Sequence, residues 1–224
     1  MNRVIHRKNL FENVERFLVY LQSTQLNNFV KFPWKYCYNI KLFKGMWAEV
    51  LKNLLKYFLP SAYAASIYEI ELDELLEKGI KGIITDLDNT LIEWNRANAT
   101  PKLIDWFKKV EEKGLLVTII SNNNRERVGT FANPLSLPFI HDAKKPMSAA
   151  FKRAIREMGL QPSQVAVIGD QLVTDVFGGN LLGLYTILVK PVANSDGFWT
   201  RFNRKIERMI LAKMKKKGMV YWDD

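Results

Sequence analysis

The chain has 224 residues, 48% hydrophobic and 25% charged, which suits one α/β domain with a buried core plus additional segments. Its single cysteine, Cys37, excludes an intrachain disulfide and fits a reducing compartment. The net charge of +10 is uneven: residues 1–66 carry 10 Lys/Arg against 3 Asp/Glu, residues 190–224 carry 9 against 4, and the stretch between carries 14 against 16.

Two basic ends on a near-neutral body point to a polyanionic partner: a membrane, nucleic acid or an acidic protein. Leu10, Val14, Phe17, Leu18 and Leu21 follow helical spacing. Residues 29–45 are aromatic and basic without a clear period. Trp47, Val50, Leu51, Leu54, Leu55 and Phe58 then form an apolar helical stripe with lysines opposite, and Pro60 stops it. No uncharged run approaches the roughly 18–20 residues that span a bilayer, and the start lacks a signal-peptide pattern. Residues 1–45 read either as an organelle-targeting extension or as sequence upstream of a start at Met46.

From residue 72 the pattern changes to alternating strands and helices. Residues 72–78 form a short helix closed by Gly79, and 81–85 an apolar strand. Thr100 caps a helix with Pro101 at its first position and a core face of Leu103, Trp106, Phe107 and Val110. Residues 115–120 are a strand buried on both faces. A helix over 125–132, a short strand near Phe139, a helix over 147–158, a strand over 165–168, a helix over 174–182 and a strand over 184–189 complete the series. The fold class is α/β: a Rossmann-like open parallel sheet with helices on both faces and extra N-terminal and C-terminal helical segments. The organisation expected is a basic, aromatic N-terminal helical extension over 1–66, a core over 67–190 and a basic amphipathic C-terminal helix over 191–224. In the last, Phe198, Trp199, Phe202, Ile206, Met209 and Ile210 line one face, with arginines and lysines around them.

Ligands of such sheets bind beyond the carboxyl ends of the strands. Four polar groups stand there in order: Asp86-Leu87-Asp88-Asn89-Thr90, Ser121-Asn122-Asn123-Asn124, Lys144-Lys145-Pro146, and Gly169-Asp170 with Thr174-Asp175. Asp86, Asp88, Asp170 and Asp175 crowd like charges at one sheet edge, which a divalent cation relieves. An all-oxygen site favours magnesium, which also takes substrate phosphate. Two histidines, His6 and His141, are too few for a typical zinc site. Ser121, Lys145, the metal and loop N–H groups supply donors for a phosphoryl group. Asp86, at the strand tip, is the candidate nucleophile; Asp88, two residues on, is the candidate acid and base.

This constellation resembles the haloacid dehalogenase (HAD) phosphatase superfamily over residues 67–190. The resemblance assigns Asp86 as nucleophile and Asp88 as acid/base, with the Asp88 backbone carbonyl on magnesium. It assigns Ser121, followed by Asn122, to substrate phosphate, Lys145 rather than Lys144 to the third motif, Asp170 to the metal and Asp175 to its support. The run 79–91, with Trp94, Ser121-Asn122-Asn123, 141–146 and Gly169-Asp170-Gln171, is similar to the YqeG-type, subfamily IIIA branch and to phosphatidylglycerophosphatases. That similarity implies an anionic phospholipid substrate, phosphatidylglycerophosphate, in phospholipid biosynthesis, and a cytoplasmic enzyme peripheral on the inner membrane face.

Independently, 35 residues separate Asp86 from Ser121 and 24 separate Ser121 from Lys145, too few for a cap domain. A capless site is open and suits large or membrane-embedded substrates. The competing readings are a soluble phosphatase for a nucleotide, sugar or protein phosphate, and a nucleic-acid-associated protein with a vestigial site. The intact motifs weigh against nucleic acid as the partner.

Overall fold

The computed structural model describes residues 55–193 and 198–220, with the side chains of 198–206 left out. The stretches 10–21 and 29–45, and most of the stripe from Trp47, lie outside the described residues.

Six strands form one wholly parallel sheet: β1 (Ala62–Ala64), β2 (Gly82–Thr85), β3 (Leu116–Ile120), β4 (Phe139–Ile140), β5 (Val165–Gly169) and β6 (Tyr185–Val189), in the order β1-β6-β5-β2-β3-β4. The chain runs from β2 outward through β3 and β4, then returns to the other side of β2 for β5. β2 is therefore central, and the order reverses at its side. The parallel α/β class expected from the alternation is what the chain adopts. The strand not anticipated is β1, an edge strand that pairs Ala62 with Ile187 and Ala64 with Val189. At three residues, just after Pro60, it is too short to show a period.

Successive side chains of a strand point to opposite faces, and the sheet fills two cores in this way. Ile83, Ile119, Ala166 and Ile168 face α1 (Leu72–Glu77), α2 (Pro101–Glu112) and α3 (Arg125–Ala132) through Leu75, Leu103, Trp106, Val110, Val128 and Phe131. Ile84, Ile120, Val165 and Val167 face α4 (Ser148–Glu157) through Ala150, Phe151, Ala154 and Ile155. Helix starts follow the sequence signals: Thr100 Oγ1 accepts the Leu103 N–H at 3.2 Å, and Asn124 Oδ1 accepts the Arg127 N–H at 2.9 Å.

The helix expected over 174–182 begins earlier and differently. Leu172–Val176 is a π-helical turn that leads into α5 (Phe177–Leu181). The Val176 N–H bonds the Gln171 carbonyl five residues back, while the Gln171 N–H donates to Asp175 Oδ2 at 3.2 Å. The carboxylate thus closes its own turn, and the wide turn is the result. The Gly178-Gly179 pair serves close packing: a Cβ at Gly179 would meet Thr186 Cγ2 at 2.6 Å, and one at Gly178 would meet Phe151 at 2.9 Å.

The end of the Trp47–Phe58 stripe packs as core. Leu55 and Phe58 are buried, and Phe58 stacks on Phe177 with ring centroids 4.5 Å apart. Asn180 fastens this segment by donating to the carbonyls of Tyr57 (2.7 Å) and Leu59 (2.9 Å). At the other end, α6 spans Phe198–Lys216. Its buried side includes Glu207 and Met214, whereas Met209, expected on the apolar face, is 64% exposed. Glu207 accepts the Val173 N–H at 3.3 Å. No helix among the described residues is long and apolar enough to cross a membrane.

Candidate active site

Strand register brings the expected residues together. Thr85 of β2 lies level with Ile119 on β3 and Ile168 on β5. One step on, Asp86 leaves the central strand, and Ser121 and Asp170 follow the flanking tips on either side of it. All four of Asp86, Ser121, Asp170 and Asp175 are buried, as is Lys145. One ligand oxygen from each of Asp86, Asp170 and Asp175 lies within 4.8 Å of the others.

Lys145 is the hub of the cluster. Its Nζ sits 2.8 Å from Asp86 Oδ1 and 2.7 Å from Asp175 Oδ1. Its main chain is fixed by Asn122, whose Oδ1 accepts the Lys145 N–H at 2.6 Å and whose Nδ2 donates to the Lys145 carbonyl at 3.3 Å. The side chain of Asn122, expected at the substrate, is thus engaged with Lys145. The Lys145-Pro146 peptide is cis. Lys144, with a positive φ of 55°, precedes that turn, and it is Lys145 that reaches the carboxylates. Gly169 is required beside them, because any Cβ there would run into the Asp175 carboxylate. Thr90 Oγ1 donates to Asp170 Oδ1 at 3.0 Å.

Three carboxylates are buried together and the Lys145 ammonium touches two of them, Asp86 and Asp175, so acidic groups outnumber the lysine in the cluster. Burial pushes the Asp86 carboxyl up to about 8; the Lys145 ammonium opposes this, and Asp175 and Asp170 reinforce it. Burial works against the charge on Lys145 as well, but Asp175 and Asp86 outweigh it and hold the ammonium above its ordinary range. The residues therefore fit a divalent cation: hard oxygen donors, buried, short of positive charge and beside a strand tip.

The sign of the pH effect follows. Asp86 has a folded-state pKa near 8 against 3.8 for the free side chain. Its contribution to the stability of metal-free protein is fully present below about pH 4 and is lost as pH rises through 8. A cation takes the place of that proton. Adding a divalent chloride should therefore raise Tm more at pH 8.5 than at pH 6 in differential scanning fluorimetry; equal gains would break the linkage.

Asp88 stands apart from the carboxylate cluster. Its Oδ1 accepts from Arg127 Nη2 at 2.7 Å and Nε at 3.1 Å, and its Oδ2 accepts from Asn123 Nδ2 at 3.2 Å. Its side chain is thus engaged by Arg127 and Asn123 and is not among the carboxylates that gather at the cluster. In the sequence Arg127 falls within the helix expected over 125–132, with no part assigned to it, and Asn123 is one of the polar residues after Ser121. Their contacts to Asp88 span 39 and 35 residues, and the only hint was polar residues directly after Ser121. Asn123 also donates its N–H to Ser121 Oγ at 3.1 Å. Trp94, in the segment after β2, is exposed. Between Asp86 and Lys145 the chain holds only that segment, α2, β3, α3, a 3-10 turn and β4, so no cap domain is inserted there.

Comparison with known proteins agrees with this geometry. The family model described as HAD-hydrolase-like matches residues 143–194. The "Probable phosphatase YqeG" of Bacillus subtilis (strain 168) is 56% identical over 171 residues, which cover 76% of this chain and 99% of that protein. "Phosphatidylglycerophosphatase GEP4, mitochondrial" of Saccharomyces cerevisiae is 25% identical over 183 residues, covering 75% of this chain and 93% of that one. "Phosphatidylglycerophosphate phosphatase 1, chloroplastic/mitochondrial" of Arabidopsis thaliana is 24% identical over 175 residues, covering 73% of this chain and 50% of that one. Identity at the first of these levels over almost a whole relative, on a sheet whose tips gather three carboxylates around a lysine, places this chain in the HAD family of phosphatases.

Proposed function

We propose that the protein is a magnesium-dependent phosphomonoester hydrolase that works through an aspartyl-phosphate on Asp86, and that its substrate is phosphatidylglycerophosphate. The observation that carries the mechanism is the placement of Asp86: at the tip of the central strand, between Ser121 and Asp170, and 2.8 Å from Lys145. Asp86 Oδ attacks phosphorus, the ester P–O bond breaks, and the departing alkoxide takes a proton from Asp88. Water then attacks the acyl phosphate as Asp88 takes a proton from it, releasing phosphate and restoring both aspartates. Ser121 Oγ and Lys145 Nζ hold phosphoryl oxygens, and Asn122 acts by fixing the Lys145 main chain. When bound by Asp86, Asp170, the Asp88 carbonyl and, behind them, Asp175, magnesium supplies the charge that the cluster lacks.

The lipid substrate is supported by two relatives named for that activity, by the open, capless site, and by basic ends suited to an anionic membrane surface. The proposal places the enzyme peripherally on the inner face of such a membrane. A soluble phosphatase acting on a nucleotide, sugar or protein phosphate is the competing reading. The test offers the full chain, with magnesium, vesicles carrying phosphatidylglycerophosphate beside a panel of soluble alkyl and aryl phosphates. Preferential phosphate release from the vesicles is the expected result. Higher kcat/KM on a soluble ester would remove the lipid and keep the phosphatase.

A further inference from the structure

We propose that Arg127 is a positioning residue for Asp88, with Asn123 as its second arm, and that this clamp sets the efficiency of proton transfer to the leaving alcohol. The inference rests on Asp88 serving as the acid and base and adds what holds it there.

Both carboxylate oxygens of Asp88 are held, from two directions. The guanidinium meets Oδ1 through Nη2 (2.7 Å) and Nε (3.1 Å), and the Asn123 amide meets Oδ2 (3.2 Å). Anchoring one oxygen would leave the carboxylate free to swing about the other; anchoring both fixes the plane of the group. The clamp is itself built on fixed backbone. Asn124 Oδ1 caps α3 by accepting the Arg127 N–H at 2.9 Å, which sets Arg127 in the first helical turn. Asn123 is tied at its N–H to Ser121 Oγ and at its carbonyl to the Asp142 N–H, 2.8 Å away. The residue that steadies Asp88 therefore also touches the phosphate-binding serine and the loop leading to Lys145.

Arg127 does not have the surroundings of an arginine placed merely for packing. Its Nη1 is buried without a hydrogen-bond partner among the described residues, a cost that an apolar side chain would avoid. The Asp88 contact is what compensates it. The two guanidinium nitrogens with a partner, Nη2 and Nε, both meet Asp88 Oδ1.

A misplacement of about 1 Å in a reacting group is enough to lose roughly 100-fold in rate. The loss should appear where the acid is needed. An alkyl phosphate leaves as a strongly basic alkoxide and requires Asp88 in the first step; p-nitrophenyl phosphate leaves as a stable phenolate and requires Asp88 only when water attacks the acyl phosphate. With the full chain and magnesium, and with the best alkyl phosphomonoester of the panel above, Arg127→Met should lower kcat about 100-fold and change KM less than about 3-fold. In the first turnover, before hydrolysis of the acyl phosphate, the same variant should release p-nitrophenolate less than about 5-fold more slowly than wild type, while release of the alkyl alcohol slows about 100-fold. Arg127→Lys should restore part of the alkyl rate, and Asp88→Asn combined with Arg127→Met should be no slower than Asp88→Asn alone.

Equal first-turnover losses in release of the alkyl alcohol and of p-nitrophenolate, a raised KM, or losses that multiply in the double variant would overturn the proposal and put Arg127 to work independently of Asp88. A fully active Asp88→Asn on the alkyl ester would instead overturn the acid/base assignment beneath it. If Arg127→Met proves unfolded by its melting curve, Asn123→Ala, which removes only the Oδ2 arm, carries the same comparison of esters.

Discussion

Replacing Asp86 by asparagine should stop turnover, with kcat down by at least about 10⁴-fold, while the protein stays folded. The amide keeps the shape of the side chain but cannot form an acyl phosphate that water hydrolyses. Its effect on stability has a definite sign. In metal-free protein the surroundings of Asp86 oppose its charge, holding the carboxyl near 8. Removing that charge relieves repulsion from Asp170 and Asp175, and Lys145 keeps its contact with Asp175 at 2.7 Å. Metal-free Asp86→Asn should therefore melt no lower than wild type at pH 8.5 and gain less from added magnesium. Retained phosphate release would dismiss Asp86 as nucleophile; a collapsed melting curve would show that its role is structural.

Lys145→Ala should be the most damaging single change to the fold. It leaves Asp86 and Asp175 buried beside Asp170 without the ammonium that contacts both of them. Breaking a buried ion pair by removing one partner costs about 3–5 kcal/mol. For a folded unit of this size that corresponds to a Tm lower by roughly 6–20 °C. The loss should be smaller at pH 6, where Asp86 holds its proton, than at pH 8.5, and should shrink with magnesium at pH 8.5. Thermal melts with and without the metal at two pH values read all of this. A variant as stable as wild type at pH 8.5 without metal would show that the cluster does not depend on the ammonium.

Much of the site was legible in the sequence because it obeys a local rule. Each polar group follows a short apolar strand, and in a parallel sheet such positions gather at one edge. Asp86, Ser121 and Asp170 needed nothing more than strand periodicity to be placed. What escaped has a physical explanation in each case. The strand at Ala62–Ala64 is three residues of small or aromatic character, and its partner is more than 120 residues away. The π turn at Leu172–Val176 exists because Asp175 reaches back to the Gln171 N–H, an interaction that no hydrophobic period records. Asn122 reads as a ligand-facing polar residue until its amide is found on the Lys145 main chain. Arg127 reads as one of several basic residues at a helix start, and only the approach of the β2 and β3 loops reveals its partner. The burial of Glu207 on α6 escaped for the same reason, since a count of apolar positions does not register a buried glutamate.

The bond from Glu207 to the Val173 N–H has a practical consequence for anyone dissecting this enzyme. Val173 belongs to the turn that presents Asp175, so the tail is one of the struts under the catalytic floor. Shortening the chain ahead of Glu207 would remove the basic tail and a contact of the Asp175 turn together. Exchanging the outward Lys213, Lys215, Lys216 and Lys217 for neutral side chains, with the helix left whole, is the cut that separates the two.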